Sequence, residues 1–154
     1  MRVDGHGSIE ADASGLRIAV ITSVFNAAIT EGLRAGALEF LDESGAQDVL
    51  SVSAPGAFEL PLLARKAAMA GYDAVVCLGA VVKGDTDHYD HVAHRASEGL
   101  MRVQLDTGVP VAFGILTVID SALAEARAAK GPANKGREAA AAAVLAVHAL
   151  RAIS

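Results

Sequence analysis

Short apolar runs alternate with longer stretches of mixed polarity along most of the chain, and that alternation predicts its architecture. LRIAVITSV (16–24), DVLSVS (48–53), AVVCLGAVV (74–82) and PVAFGILTV (110–118) read as strands. The third is apolar at almost every position, as a central parallel strand covered on both faces must be. Helices fill the intervals. One runs from Asn26, whose side chain can cap it, to about Ser44, where Gly45 stops it. A second, over 57–70, is entered through Pro55 and Gly56, tolerates Pro61 near its first turn and ends at Gly71. A third spans about Thr86 to Asp106. A fourth is capped by Asp120 or Ser121 and reaches Ala129; the loop KGPANKG separates it from a last helix over 137–152. The alanine-rich REAAAAAVLAVHAL reads as a helix packed closely against a neighbour rather than as disorder.

Strands separated by helices imply right-handed crossovers and an α/β fold, a parallel four-stranded sheet with helices on both faces. The expected organisation is a polar leader over residues 1–15 followed by a single domain over 16–154, with no linker and no repeat.

Composition adds two expectations. Apolar residues make up 53% of the chain and charged ones only 20%, more apolar surface than a small monomer usually hides, which favours self-association. The net charge of −5 argues against nucleic acid or an anionic membrane as partner. No apolar run approaches the roughly 18 residues that span a bilayer. The opening MRVDGHGSIEADASG lacks the hydrophobic centre of a signal peptide. Cys77 is the only cysteine and sits inside an apolar run, so it is expected to be buried and inert, in a cytoplasmic protein.

In a parallel α/β sheet, ligands bind just beyond the carboxyl ends of the strands. That rule directs attention to Phe25 and Asn26, to 54–59, to 83–88 and to the residues around Phe113. The segment GAVVKGDT spaces two glycines as a nucleotide phosphate loop does, but Asp85 stands where the loop's lysine is required, so nucleoside triphosphate binding is rejected. A more general anion site survives. Gly84 lets a ligand approach the backbone, and the amides of Asp85 and Thr86, at a helix start, can receive an anion. Thr86 can equally be a simple helix cap, and the two roles are compatible.

His88, His91 and His94 form H-x-x-H-x-x-H among three aspartates. On one helix His94 lies about 120° from His88, so three ligands to one metal would require a broken helix, and no metal is expected. His88 alone stands in the first helical turn at the strand-end crevice, where an imidazole can serve as a base. His91, His94, His6 and His148 are assigned to surface or packing. Phe25 is either buried or a platform for a flat heterocycle. Phe58 can be core, Glu59 can hydrogen-bond a ligand polyol, and Phe113 lies in the sheet, at the pocket floor. Arg127, Lys135 and Arg137 flank a glycine loop; they either complement helix dipoles or clamp a phosphate.

FN at Phe25–Asn26, PGAFELP at 55–61, LGAVVKGDTDHYDHV at 78–92, PVAFGILT at 110–117 and NKG at 134–136, in this order and spacing, resemble the 6,7-dimethyl-8-ribityllumazine synthase family over nearly the whole chain from Leu16. The resemblance implies a flavodoxin-like fold and the penultimate step of riboflavin biosynthesis. In that step 5-amino-6-(D-ribitylamino)uracil joins 3,4-dihydroxy-2-butanone 4-phosphate, with loss of phosphate and water and without metal or organic cofactor. It further implies pentamers, which in many members close into icosahedral shells, with sites between subunits, and riboflavin synthase as a candidate partner. By motif, Phe25 would stack on the pyrimidine. Ala57, Phe58 and Glu59 would hold the ribityl chain and ring edge, with Ala80, Val81 and Val82 lining the same pocket. Asp85 and Thr86 would bind phosphate, His88 would transfer protons, Phe113 of a neighbouring subunit would complete the uracil site, and Arg127, with Lys135 as a further candidate, would neutralise the phosphate.

Two positions depart from the family pattern: Val24 and Lys83 each stand where arginine is usual. Lysine lacks the bidentate fork of arginine, which bears on subunit packing and phosphate affinity. The loop AAKGPANKG also departs from the usual glycine and threonine pattern. An archaeal-type riboflavin synthase and a shell-forming, flavin-binding homologue with little turnover are the alternatives; the near-complete PGAFELP and GDTDHYD motifs favour the synthase.

Overall fold

A strand that is apolar on both faces needs a helical layer on each side, and the chain supplies both. The computed structural model describes residues 11–153; the expectations for the leader up to residue 10, His6 included, lie outside the described residues. In chain order the elements are β1 (Arg17–Ser23), α1 (Ala27–Glu43), β2 (Asp48–Ala54), a 3-10 turn (Ala57–Glu59), α2 (Leu60–Met69), β3 (Ala74–Val82), α3 (His88–Thr107), β4 (Val111–Val118), α4 (Ser121–Ala128) and α5 (Lys135–Ala152). The four strands are parallel in the order β2-β1-β3-β4, the α/β sheet of a flavodoxin-like fold.

β3 is buried along nearly its whole length because β1 and β4 flank it and helices cover both faces. One core joins Val20, Val76 and Leu116 to Leu33 and Leu41 of α1, Ala124 of α4 and Val144 of α5. The other joins Ile21, Val75, Cys77 and Ile115 to Leu60 of α2 and Leu100 of α3. Burial pushes the Cys77 thiol far up, so it holds its proton and is inert, as its apolar context predicts. β2 is the exception. As an edge strand it leaves Leu50 and Val52 exposed.

Several element ends differ from those read off the sequence, each for a local reason. Gly45, with φ +85°, stops α1 as expected: its amide and that of Ala46 return to the carbonyls of Asp42 and Leu41. Asn26 stands at the N-cap position but does not cap; its Nδ2 donates instead to the Ala80 carbonyl at 2.9 Å. The single helix expected over 57–70 is a 3-10 turn followed by α2. Pro61 has no N–H to give the Ala57 carbonyl, so the Leu60 amide takes it one residue early. α3 begins at His88 rather than Thr86, and Thr86 Oγ1 accepts from the His88 amide at 3.3 Å in a side-chain turn before the helix. α5 begins at Lys135, two residues earlier than its alanine run suggests, because Asn134 Oδ1 accepts from the Arg137 amide at 3.0 Å.

The alanine-rich α5 does pack closely on a neighbour. A Cβ on Gly136 would fall on the Leu33 carbonyl of α1, and one on Gly36 would fall on the side chain of Asn134. Asn134 is buried, and its Nδ2 donates to the carbonyls of Gly32, Ala128 and Ala129 at 3.0–3.1 Å. One amide therefore joins α1, the end of α4 and the start of α5.

Candidate active site

The carboxyl ends of β1, β2 and β3 open onto a crevice whose walls are the segments that follow them. The Val24 amide donates to the Ala54 carbonyl at 2.8 Å, continuing the β1–β2 pairing by one residue. Phe25 then leaves the sheet with 70% of its surface exposed. Asn26 adopts the left-handed backbone (φ +62°) that turns the chain into α1, a conformation asparagine tolerates better than most residues. Its bond to Ala80 fixes this corner to the end of β3.

A cavity of about 560 Å³ lies here, lined by Phe25, by Pro55, Gly56, Ala57, Phe58 and Glu59 of the turn after β2, and by His88, His91 and Val92 of α3. A second, of about 240 Å³, shares Phe25, Ala57, His88 and Val92 with it and adds Ala80, Val81 and Val82 of β3 with Gly84, Thr86 and Tyr89. Shared walls make them two compartments of one crevice. One compartment carries the aromatic face and the Glu59 carboxylate; the other carries the glycine loop. Thr86 accepts from the His88 amide, so its hydroxyl hydrogen is free to donate. Asp85 is exposed beside Gly84 and Thr86 but lines neither compartment.

Phe113, Arg127 and Lys135 are not in this crevice. Phe113 pairs with Cys77, whereas the crevice begins at Ala80, so it sits about 10 Å back along the sheet. It is half exposed at the open edge of β4, where it lines a separate groove of about 260 Å³ with Lys135 and Glu138. Within one chain, then, Phe113 does not reach the floor of this crevice and lines a different surface. Arg127 stands exposed on α4. The Lys135 ammonium pairs with Glu138 at 3.0 Å.

The structure also brings in residues that sequence reasoning assigned elsewhere or passed over. His91 was taken for surface or packing, yet it lines the larger compartment with His88, one helical turn away; their spacing of three was the available signal. Its Nε2 lies 3.2 Å from Asp87 Oδ2. Tyr89 and Val92 carry no mark in the sequence that separates them from core residues. His148 packs as expected, its Nε2 2.6 Å from the Asp12 carbonyl. Among the described residues no three His, Cys, Asp or Glu side chains converge as a metal site, and no helix is long and apolar enough to cross a membrane.

A crevice across the carboxyl ends of a parallel sheet, with an aromatic ring, a carboxylate, a histidine and a glycine loop facing one space, defines an α/β enzyme of flavodoxin-like build that takes a small-molecule substrate. Comparison with known proteins makes this specific. The family model described as 6,7-dimethyl-8-ribityllumazine synthase matches residues 15–151. A 6,7-dimethyl-8-ribityllumazine synthase from Kineococcus radiotolerans is 47% identical over 156 aligned positions, which cover all of this chain and 97% of that relative. The chain belongs to the 6,7-dimethyl-8-ribityllumazine synthase family and is an enzyme of riboflavin biosynthesis.

Proposed function

We propose that the crevice is one half of the lumazine-forming site and that a neighbouring copy of the chain supplies the other half. The observation that carries this reading is the division of the site residues. Phe25, Ala57, Phe58, Glu59, Ala80, Val81, Val82, Thr86 and His88 share one crevice, whereas Phe113, Arg127 and Lys135 of the same chain do not line it. A homo-oligomer in which the β4 edge of one copy meets the crevice of the next would unite the two sets. The pentamer, free or closed into a shell, is the arrangement we favour. The exposed Phe25, Phe58 and Phe113 support it, being costly apolar surface for a monomer.

In this reading Phe25 stacks on the pyrimidine, Phe113 of the neighbouring copy completes that pocket, and Glu59 accepts hydrogen bonds from the ribityl hydroxyls. The amides of Asp85 and Thr86 and the free Thr86 hydroxyl hold the phosphate, and Arg127 neutralises it, with Lys135 as a further cation. Lys83 replaces the family's arginine as an exposed point charge. Imine formation, loss of phosphate and ring closure each move protons, and His88 is placed to accept and return them. The rest of the rate comes from holding two reactants together. A cytoplasmic location suits a chain whose one thiol is buried and reduced.

Mixing the purified protein with the two substrates and following the lumazine absorbance tests the reading. Product should form without added metal, and none at high enzyme concentration would overturn it. His88→Ala should lower kcat by about 5- to 50-fold rather than abolish turnover, since proximity is untouched. An unchanged kcat would remove His88 from its role.

A further inference from the structure

We infer that His91, oriented by Asp87, is a second proton-transfer group of this site alongside His88. The inference rests on the reading of the crevice given above, and it concerns a residue to which that reading assigns nothing. His88 and His91 occupy successive turns of one helix face, and both line the larger compartment opposite Phe25 and Glu59. His94 is one further step along the motif and lines neither compartment. The pair is thus set apart from the run by position.

The second observation is the Asp87 contact. Asp87 Oδ2 lies 3.2 Å from His91 Nε2 across one helical turn. A carboxylate only accepts, so the contact places the imidazole hydrogen on Nε2 and leaves the Nδ1 lone pair as the basic position. No other hydrogen bond engages the His91 ring among the described residues. Asp87 therefore acts as a positioning residue, fixing tautomer and ring orientation as the partner carboxylate of a catalytic histidine does.

The chemistry leaves work for two such groups. Imine formation runs in two stages: a C–N bond forms as the nitrogen loses one proton and the carbonyl oxygen gains one, and the C–O bond then breaks as the nitrogen loses its second proton and the oxygen, gaining another, leaves as water. In each stage one imidazole can take the proton from nitrogen while the other, protonated, gives one to the oxygen. The proton gained by the first balances that lost by the second, and exchange with water restores both. A second base also explains why removal of His88 alone is expected to slow the reaction without stopping it. The titratable neighbours that share in any pH response are Asp87, His88, His94 and Arg95 on α3, and Glu59 on the facing turn.

The test compares His91→Gln, Asp87→Asn, His88→Ala and the His88→Ala/His91→Gln double variant in steady-state lumazine formation between pH 5.5 and 9. All three positions are exposed, so folding should be retained, which circular dichroism would check. His91→Gln should lower kcat about 3- to 20-fold with little change in either KM, and Asp87→Asn should lose part of the same factor. In the double variant the rate should fall below that of His88→Ala, and one limb of the pH–kcat profile should flatten. If the double variant matches His88→Ala in rate and pH profile, His91 has no part in proton transfer and the inference fails while the site reading stands. If His88→Ala is itself without effect, the site reading fails, and the inference with it.

Discussion

Asn134→Ala should lower the thermal midpoint by roughly 6–12 °C, the shift that about 3 kcal/mol produces in a domain of this size. The substitution removes a buried amide that serves four backbone groups: it donates to the carbonyls of Gly32, Ala128 and Ala129 and accepts from the Arg137 amide. A lost cap contributes about 1 kcal/mol, and each buried backbone group left without a partner costs about 1–3 kcal/mol where water cannot reach it. Asn134→Asp separates the two roles. It retains the capping oxygen but turns a carboxylate towards three carbonyl oxygens, so it should be at least as destabilising as alanine. Scanning calorimetry on both variants checks this; a shift below about 2 °C for either would mean that the surrounding helices relax and the latch carries little.

Phe25→Asp should have the opposite profile, a large loss of activity on an intact fold. Phe25 is 70% exposed, so its removal should leave the thermal midpoint within about 2 °C. Yet its ring borders both compartments of the crevice. Stacking of an aromatic side chain on a nucleobase is worth about 1–3 kcal/mol, and an added carboxylate replaces an apolar face with a hydrated charge. The expected fall in kcat/KM is about 100-fold, seen mainly in the KM for the pyrimidine substrate. A variant with unaltered kcat/KM would show that the ring does not touch the pyrimidine.

The core of the fold could be read from local pattern, because burial on both faces leaves its mark on every position of a strand such as β3. Element ends were harder, because each depends on where one hydrogen bond goes. Asn134 looked like part of a glycine loop, and only the tertiary contact with Gly32 shows it as cap and latch. Asn26 looked like a cap and is instead a tie to β3. For the site, the strand-end rule pointed to Phe25, 57–59, Gly84, Thr86 and His88, which line one crevice. It could not show that Phe113 lies outside the crevice of its own chain, because periodicity does not tell which strand lies at the sheet edge, and His91 was passed over because surface exposure and pocket exposure look alike in a sequence.

The departure at Val24 has a structural consequence of its own. Its side chain is exposed next to Phe25 in the chain, where the arginine of the family pattern would add a charge, so the surface here is apolar. Together with Phe25 and Phe58 this enlarges the surface that a neighbouring copy would cover.

The claim that two copies build each site is tested most directly by mixing two variants that spoil opposite halves. Phe25→Asp damages the crevice and leaves Phe113 and Arg127 intact, whereas Arg127→Asp damages the surface of α4 and leaves the crevice intact. Each should be poorly active alone. Co-expressed in equal amounts and purified as mixed oligomers, they should recover about a quarter of the wild-type lumazine-forming rate, since in a closed ring about one junction in four joins two undamaged halves. Recovery no greater than the average of the two variants measured separately would contradict the account and place the whole site within a single chain.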